Sequence, residues 1–389
     1  PAAERTIRDP VMANRSDRMP QLDGLRGLAA LAVVFTHSGD PALAWALDLG
    51  VVGVKLFFVL SGFLITGILL EARRNADSGS RRYRGVLLSF YARRFLRIFP
   101  LYYLVLLACA LVDMPGVRAN LPWHVSYLTN FHIGHNGDWG ASLSHFWTLA
   151  VEEQFYLLWP AFILFAPVRW LPMSIIAIIL TGPVSRACLA VTTTNLVTSL
   201  TATTSCLDSL GLGALLAVLN KVERRPAPRL TRGLLLAGLA VSIGIAALRL
   251  SGVGRSQGIG WTAVVTLKDL GYSLIFTWLV SRAAEGLPGA LGLLLAWRPL
   301  VYTGTISYGI YVYHEVLPYM WHSKVLPLPG EGTTRFLIVL VATYLVAAVS
   351  WAIYERPLNN LKDLFPYSGL AGNHRASCCT PLRPCESSS

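Results

Sequence analysis

Apolar runs recur along almost the whole of this chain, many of them close to the ~20 residues that carry an α-helix across roughly 30 Å of hydrocarbon. Read by that rule, candidate spans fall at residues 22–38, 51–70, 98–112, 149–167, 172–190, 207–220, 233–250, 261–281, 299–319 and 335–354. Only 14% of the residues are charged, against roughly a quarter in an ordinary soluble domain, so a water-facing surface of normal extent cannot be built. The expected fold is therefore all-α, a polytopic transmembrane bundle of about ten helices.

The net charge of +12 would suggest nucleic acid in a soluble protein. Here the bases cluster beside apolar spans, chiefly between Arg73 and Arg97, before Arg18, and between Lys221 and Arg232. That placement suits the positive-inside rule and anionic headgroups, and no nucleic-acid partner is expected. The loop from Ser38 to Gly50 has no Lys or Arg, and residues 113–148 hold Arg118 as their one strong base. With an even number of spans, both termini are expected in the cytosol and residues 113–148 outside. The N-terminus is polar and basic, and the first apolar run lacks a small-residue cleavage pattern, so it reads as a retained span without a signal peptide. Residues 1–21 form a cytosolic segment, residues 22–357 the membrane domain, and residues 358–389 a disordered cytosolic tail, whose Ser, Pro and Gly content is clearest beyond about Ser368. The six cysteines have neither zinc-site nor disulfide-framework spacing, and read as unpaired thiols. No metal is expected.

Function must then lie inside the bundle, where an ionisable residue is costly and marks a wet cavity or a buried partner. The first span carries Asp23, Arg26 and His37. Arg26 and His37 are eleven positions apart, three helical turns, so they share a face about 16 Å apart along the axis. Arg26 reaching to headgroups and His37 capping the helix end is the plainer reading. Glu152 and Glu153 open the fourth span, and Glu152 enters from the outer side at a depth similar to that of His37. An imidazole and a carboxylate at like depth suggest a general-base pair. Taken alone, the two glutamates equally suit a solvated interface. Arg93, Arg94 and Arg97 lie at i, i+1 and i+4 on the cytosolic approach to the third span, where they can share a helical face and bind phosphate bidentately. Lipid headgroups and a phosphate-rich cofactor such as coenzyme A are the alternatives. Lys55, Asp208, Lys268, Asp269, His314 and Glu315 are further intrusions, with Lys55 and Asp208 a candidate neutralising pair. The small residues within Phe57–Phe63 suit close helix packing.

Taken in order, these segments resemble the acyltransferase 3 family of multi-pass membrane acyltransferases. The resemblance spans Leu22 to Pro357. It rests on the Arg26–His37 spacing and on Phe57–Phe63, Arg93–Pro100, Thr148–Tyr156, Ile306–His314 and Tyr354–Pro357. It implies transfer of an acetyl, propionyl or related short acyl group, typically from acyl-CoA, to a hydroxyl of a sugar, polysaccharide, lipid or secondary metabolite. His37 would be the catalytic base, Arg26 its motif partner, Glu152 an active-site carboxylate, and Arg93, Arg94 and Arg97 the donor-side cluster. Two positions depart from the family pattern: Thr148 replaces a serine, and Cys206 stands where members often carry an arginine two residues before Asp208. Length and composition are similar to those of stand-alone members that acylate macrolide antibiotics, which suggests a lactone or sugar hydroxyl as acceptor. The rival reading from another class is a proton-coupled transporter or flippase of an anionic substrate, since buried His, Glu and Arg also mark such pathways.

Overall fold

The computed structural model describes residues 19–79, 82–140, 142–193, 195–222, 228–252, 259–324 and 332–367. Among these there is no β-strand. The principal helices are α1 (Pro20–Ser38), α2 (Leu49–Asp77), α3 (Tyr83–Leu111), α4 (Phe146–Phe165), α5 (Leu171–Thr192), α6 (Leu207–Val222), α7 (Pro228–Leu250), α8 (Ile259–Glu285), α9 (Arg298–Thr305), α10 (Ser307–Tyr313), α11 (Val316–Lys324) and α12 (Thr333–Ser350).

Among the described residues, seven helices are long and apolar enough to cross a membrane: α2, α3, α5, α6, α7, α8 and α12. The expected helical membrane bundle is present, but its count of ten is not reached. Each of the three remaining stretches is interrupted by polar residues. α1 holds Asp23, Arg26 and His37 within 19 residues, and α4 holds Glu152 and Glu153. The stretch expected at 299–319 breaks into α9, α10 and α11, with His314 and Glu315 at the second break. The three stretches outside that count thus carry His37, Glu152, His314 and Glu315.

α2 and α6 form the centre, with 61% and 67% of their apolar windows buried, against 11% for α7 at the periphery. Their close crossing requires glycine. A Cβ on Gly62 would sit 1.9 Å from the Leu210 carbonyl oxygen, and one on Gly213 would sit 2.0 Å from that of Val59. Small residues let two backbones approach where hydrocarbon supplies no hydrophobic drive for helix association. Around this crossing, Phe58, Ile65, Leu69, Phe155, Trp159 and Leu210 form one core.

The buried charges pair differently from the sequence expectation. Lys55 Nζ lies 2.8 Å from Asp269 Oδ2 on α8, while Asp208 Oδ2 lies 2.5 Å from Arg186 Nη2 on α5. Gly182 allows this second pair, because α5 rests its backbone directly on Asp208 there and Arg186 follows one turn later. Arg186 also donates to the carbonyls of Ser205 and Thr266. An arginine beside this aspartate is therefore supplied by the neighbouring helix, where family members often carry one two residues before it.

The disordered tail cannot begin at 358. Helix Arg356–Asn360 and a 3-10 turn over Leu361–Leu364 continue the fold, and the chain then lies against α3. Ser89 Oγ donates to the Pro366 carbonyl at 3.1 Å, and Arg93 Nε to that of Phe365 at 2.6 Å. The expectations for residues 1–18 and 368–389, including three of the cysteines, lie outside the described residues. Cys109, Cys188 and Cys206 are unpaired.

Candidate active site

Two cavities lie at different depths of the bundle, and both are lined by Val54 and Tyr311. The smaller, about 90 Å³, is lined by Ser61, Arg94, Arg97, Thr148, Glu152 and Tyr308 among others. Glu152 accepts a hydrogen bond from Ser61 Oγ at 2.6 Å, and Ser61 in turn accepts one from the Tyr156 hydroxyl at 3.0 Å. The Arg94 guanidinium lies 4.4 Å from the Tyr156 ring centroid. Arg97 lies 5.0 Å from that of Trp351 and donates to the Thr305 carbonyl at 3.3 Å. Arg26 is close enough to act electrostatically on Arg97 and on Glu152, so it belongs to this end of the bundle.

The arginine cluster divides. Arg94 and Arg97 face the cavity, whereas Arg93 turns to the C-terminal segment, where its guanidinium lies 4.8 Å from the Tyr367 ring and its Nε is taken by Phe365. The C-terminal segment packs where Arg93 would otherwise share a face with Arg97. α3 passes through Pro100, which has no N–H to donate. The Ile98 and Pro100 carbonyls on this turn accept from the Tyr308 and Tyr354 hydroxyls at 2.7 and 3.3 Å, fixing α3 against α10 and the C-terminal end of α12. That end continues as a five-residue π-helix, Trp351–Glu355, a local distortion frequent at functional sites. It brings buried Glu355 near Arg97, with Ser350 Oγ donating to Glu355 at 2.9 Å.

The larger cavity, about 420 Å³, contains His37, His145 and Glu315 at one part of its wall and Lys55 with Asp269 at another. His37 does not meet Glu152, which lines only the smaller cavity. The carboxylate at its ring is Glu315, whose Oε1 is 3.1 Å from His37 Nε2. Glu315 Oε2 is 2.6 Å from His145 Nδ1. His37 Nδ1 is 3.0 Å from the Val33 carbonyl oxygen. A carbonyl only accepts, so Nδ1 carries the N–H and Nε2 is the atom free to gain or lose a proton. That atom faces the carboxylate, so the observed geometry suits the imidazolium, with Glu315 accepting from it. The same reasoning makes His314 Nδ1 the donor to the Tyr311 carbonyl at 2.6 Å, leaving its Nε2 to accept from His37 Nδ1 at 3.2 Å. His37, His314 and Glu315 also present possible metal-ligand atoms within 4.8 Å of one another. Because His314 Nε2 meets the N–H side of His37, the arrangement is that of a proton-sharing cluster.

The break after Tyr313 places His314 and Glu315 here: Tyr311 and His145 meet across α10 and α4, the Tyr311 hydroxyl donating to the His145 carbonyl at 2.7 Å. Tyr311 also pairs with the Thr148 hydroxyl at 2.5 Å, so threonine retains the contact that a serine at this position could make. Sequence reasoning noted His314 and Glu315 but gave His145 no role. The available signal for His145 was its place directly before the apolar run that begins at Phe146.

Residues 19–355 match the family described as an acyltransferase domain. Among curated proteins, the chain is 30% identical over 363 residues to the peptidoglycan O-acetyltransferase OatA of Listeria monocytogenes, covering 87% of this chain and 56% of that protein. It is 28% identical over 382 residues to the putative peptidoglycan O-acetyltransferase YrhL of Bacillus subtilis, covering 87% and 55%. It is 33% identical over 171 residues to the O-acetyltransferase OatA of Staphylococcus aureus, covering 41% and 27%. The chain thus spans about half the length of the first two of these relatives. No solved structure matches it.

Proposed function

Because the chain belongs to the acyltransferase 3 family, we propose that it is a multi-pass membrane O-acyltransferase that moves an acetyl or other short acyl group from acyl-CoA to a hydroxyl. The observation that carries this reading is the pair of adjoining cavities, one with cationic and acidic walls and the other with a histidine–carboxylate cluster. Acyl-CoA belongs with Arg94 and Arg97, whose guanidinium groups suit phosphate. A cavity of about 90 Å³ takes the acyl end of the thioester and leaves the nucleotide outside. The charge pattern supports placing this end, and both termini, in the cytosol.

In this mechanism His37 starts neutral, with Nε2 turned from Glu315 toward the acceptor hydroxyl in the larger cavity, and takes the proton of that hydroxyl. Its oxygen attacks the thioester carbonyl, and the C–S bond breaks to release coenzyme A as thiolate. Glu315 then holds the imidazolium, and His145 fixes Glu315. Tyr311 must turn aside for the carbonyl to reach the acceptor. Arg26, Arg94 and Glu152 act on the donor side. The relatives' names favour a glycan hydroxyl as acceptor; a macrolide hydroxyl is the alternative suggested by composition.

Purified protein in detergent micelles, given radiolabelled acetyl-CoA with glycan and macrolide acceptors, should move label to one acceptor class, and His37→Ala should slow the transfer by about 10²- to 10⁴-fold while the protein stays folded. Full transfer by folded His37→Ala would refute the base assignment. In proteoliposomes, flux of an anionic substrate without acyl transfer would favour the transporter.

A further inference from the structure

The larger cavity has a second polar station that the acyl-transfer mechanism does not use. Lys55 and Asp269, on α2 and α8, both line it, and each side chain is almost fully buried, at 4% and 2% exposure. Lys55 Nζ occupies Asp269 Oδ2. Asp269 Oδ1 has no hydrogen-bond partner among the described residues. An ionised oxygen left without a donor in a buried site is costly, and replacing such a pair with apolar residues is often neutral or stabilising. Its position on a cavity wall, with one carboxylate oxygen unused, leaves room for a ligand to supply the missing donor.

The rest of the wall limits that ligand. Trp139 and Trp147, with ring centroids 6.1 Å apart, give flat apolar surfaces in the cavity lining. The ion pair is formally neutral, so it has no net attraction for an anion or a cation. It offers an accepting carboxylate oxygen beside an ammonium with further N–H groups. A hydroxyl or a secondary amide meets both demands.

We propose that the Lys55–Asp269 pair is an acceptor-recognition subsite, in which Asp269 Oδ1 accepts a hydrogen bond from a hydroxyl or amide N–H of the acceptor other than the hydroxyl that faces His37. This rests on the acyltransferase reading for its link to catalysis, but not for the binding itself. The pair positions substrate and takes no part in proton transfer. It makes the enzyme selective for acceptors that carry a second donor.

The test uses the full chain in micelles, the double variant Lys55→Met with Asp269→Leu, which removes both charges at similar volume, and as acceptors N-acetylglucosamine with its single-deoxy analogues, including 2-deoxyglucose, which lacks the acetamido group. Binding is read from Trp139 and Trp147 fluorescence, and transfer from labelled acetyl-CoA. The wild type should bind one deoxy analogue about tenfold more weakly than the parent sugar, the order of one lost hydrogen bond. The double variant should bind the two alike, and its acceptor KM should rise more than its kcat falls. Equal binding of parent and all analogues by the wild type would overturn the proposal, and so would a folded double variant that still discriminates. If the double variant fails to fold, the wild-type analogue series decides alone. Selective binding without any transfer would uphold the subsite while removing the acyltransferase reading.

Discussion

Replacing Glu315 with glutamine removes the charge at the centre of the histidine cluster while keeping its volume. The carboxylate receives two contacts, from His37 Nε2 at 3.1 Å and His145 Nδ1 at 2.6 Å. A hydrogen bond involving a charged group contributes ≈ 1.5–3 kcal/mol. The His37 arm counts directly toward the transition state, because His37 becomes cationic there. His37 is 37% exposed, so water replaces part of that interaction and the lower end of the range applies, about 1.5 kcal/mol. The His145 arm is buried and holds the carboxylate in place; losing it adds up to a similar amount. The total, about 1.5–3 kcal/mol, corresponds to a fall in kcat of roughly 10- to 100-fold at 1.36 kcal/mol per decade. The donor KM should change less than about twofold, since donor binding lies in the other cavity. The assay is steady-state transfer of labelled acetyl groups by purified wild type, Glu315→Gln, His37→Ala and the double variant. Residues acting as a unit are non-additive, so the double variant should be no slower than His37→Ala. A wild-type kcat for Glu315→Gln, or a double variant slowed by the product of the two single effects, would refute the reasoning.

Arg94→Gln and Arg97→Gln should each raise the donor KM by about tenfold, the order of one lost charge-assisted contact; Arg93→Gln should leave that KM near wild type and loosen residues 361–367, measurable as faster proteolysis. Asp208→Asn leaves the fully buried Arg186 without its counter-charge and should cost about 3–5 kcal/mol, read as a lower thermal midpoint in micelles; an unchanged midpoint would remove Arg186–Asp208 as a structural pair. His124, outside the long helices, is pushed down from 6.5 to about 4 by burial, with neighbouring His132 and His145 adding to the effect. The unfolded chain therefore binds more protons between those values, so stability should fall as pH drops from about 6.5 to 4, by on the order of 3 kcal/mol in all. Unfolding midpoints of wild type and His124→Asn across that range give the check, and parallel curves would exclude His124 as the source.

Depth was legible within one helix but not between helices. Helical rise sets Arg26 and His37 three turns apart, and they do serve different ends of the bundle. Similar depth also suggested Glu152 as the partner of His37, but Glu152 lies beside Ser61 in the smaller cavity, while His145, about two turns earlier at the head of α4, lines the second cavity. Glu315 takes the place beside His37 because α10 ends at Tyr313, a break that an apolar run conceals. Lys55 and Asp208 were matched by sign alone. Gly182 decides the real pairing by letting α5 settle on Asp208, and a contact between two helix backbones is invisible to periodicity. Arg93 looked equivalent to Arg94 and Arg97 because its competitor, the Phe365 carbonyl, lies 272 positions away.

Val54 and Tyr311 line both cavities, so hollows from two directions converge on a shared septum. A bilayer normally insulates by a thickness of roughly 30 Å of hydrocarbon; a phenol ring and an isopropyl group are what these two hollows have in common. If the hollows are wetted from opposite faces, most of the transmembrane voltage falls across this septum. A neutral acyl group can cross such a gap without electrical work, whereas an ion would pay for the passage, and trimming Tyr311 to alanine should make the protein leaky to protons.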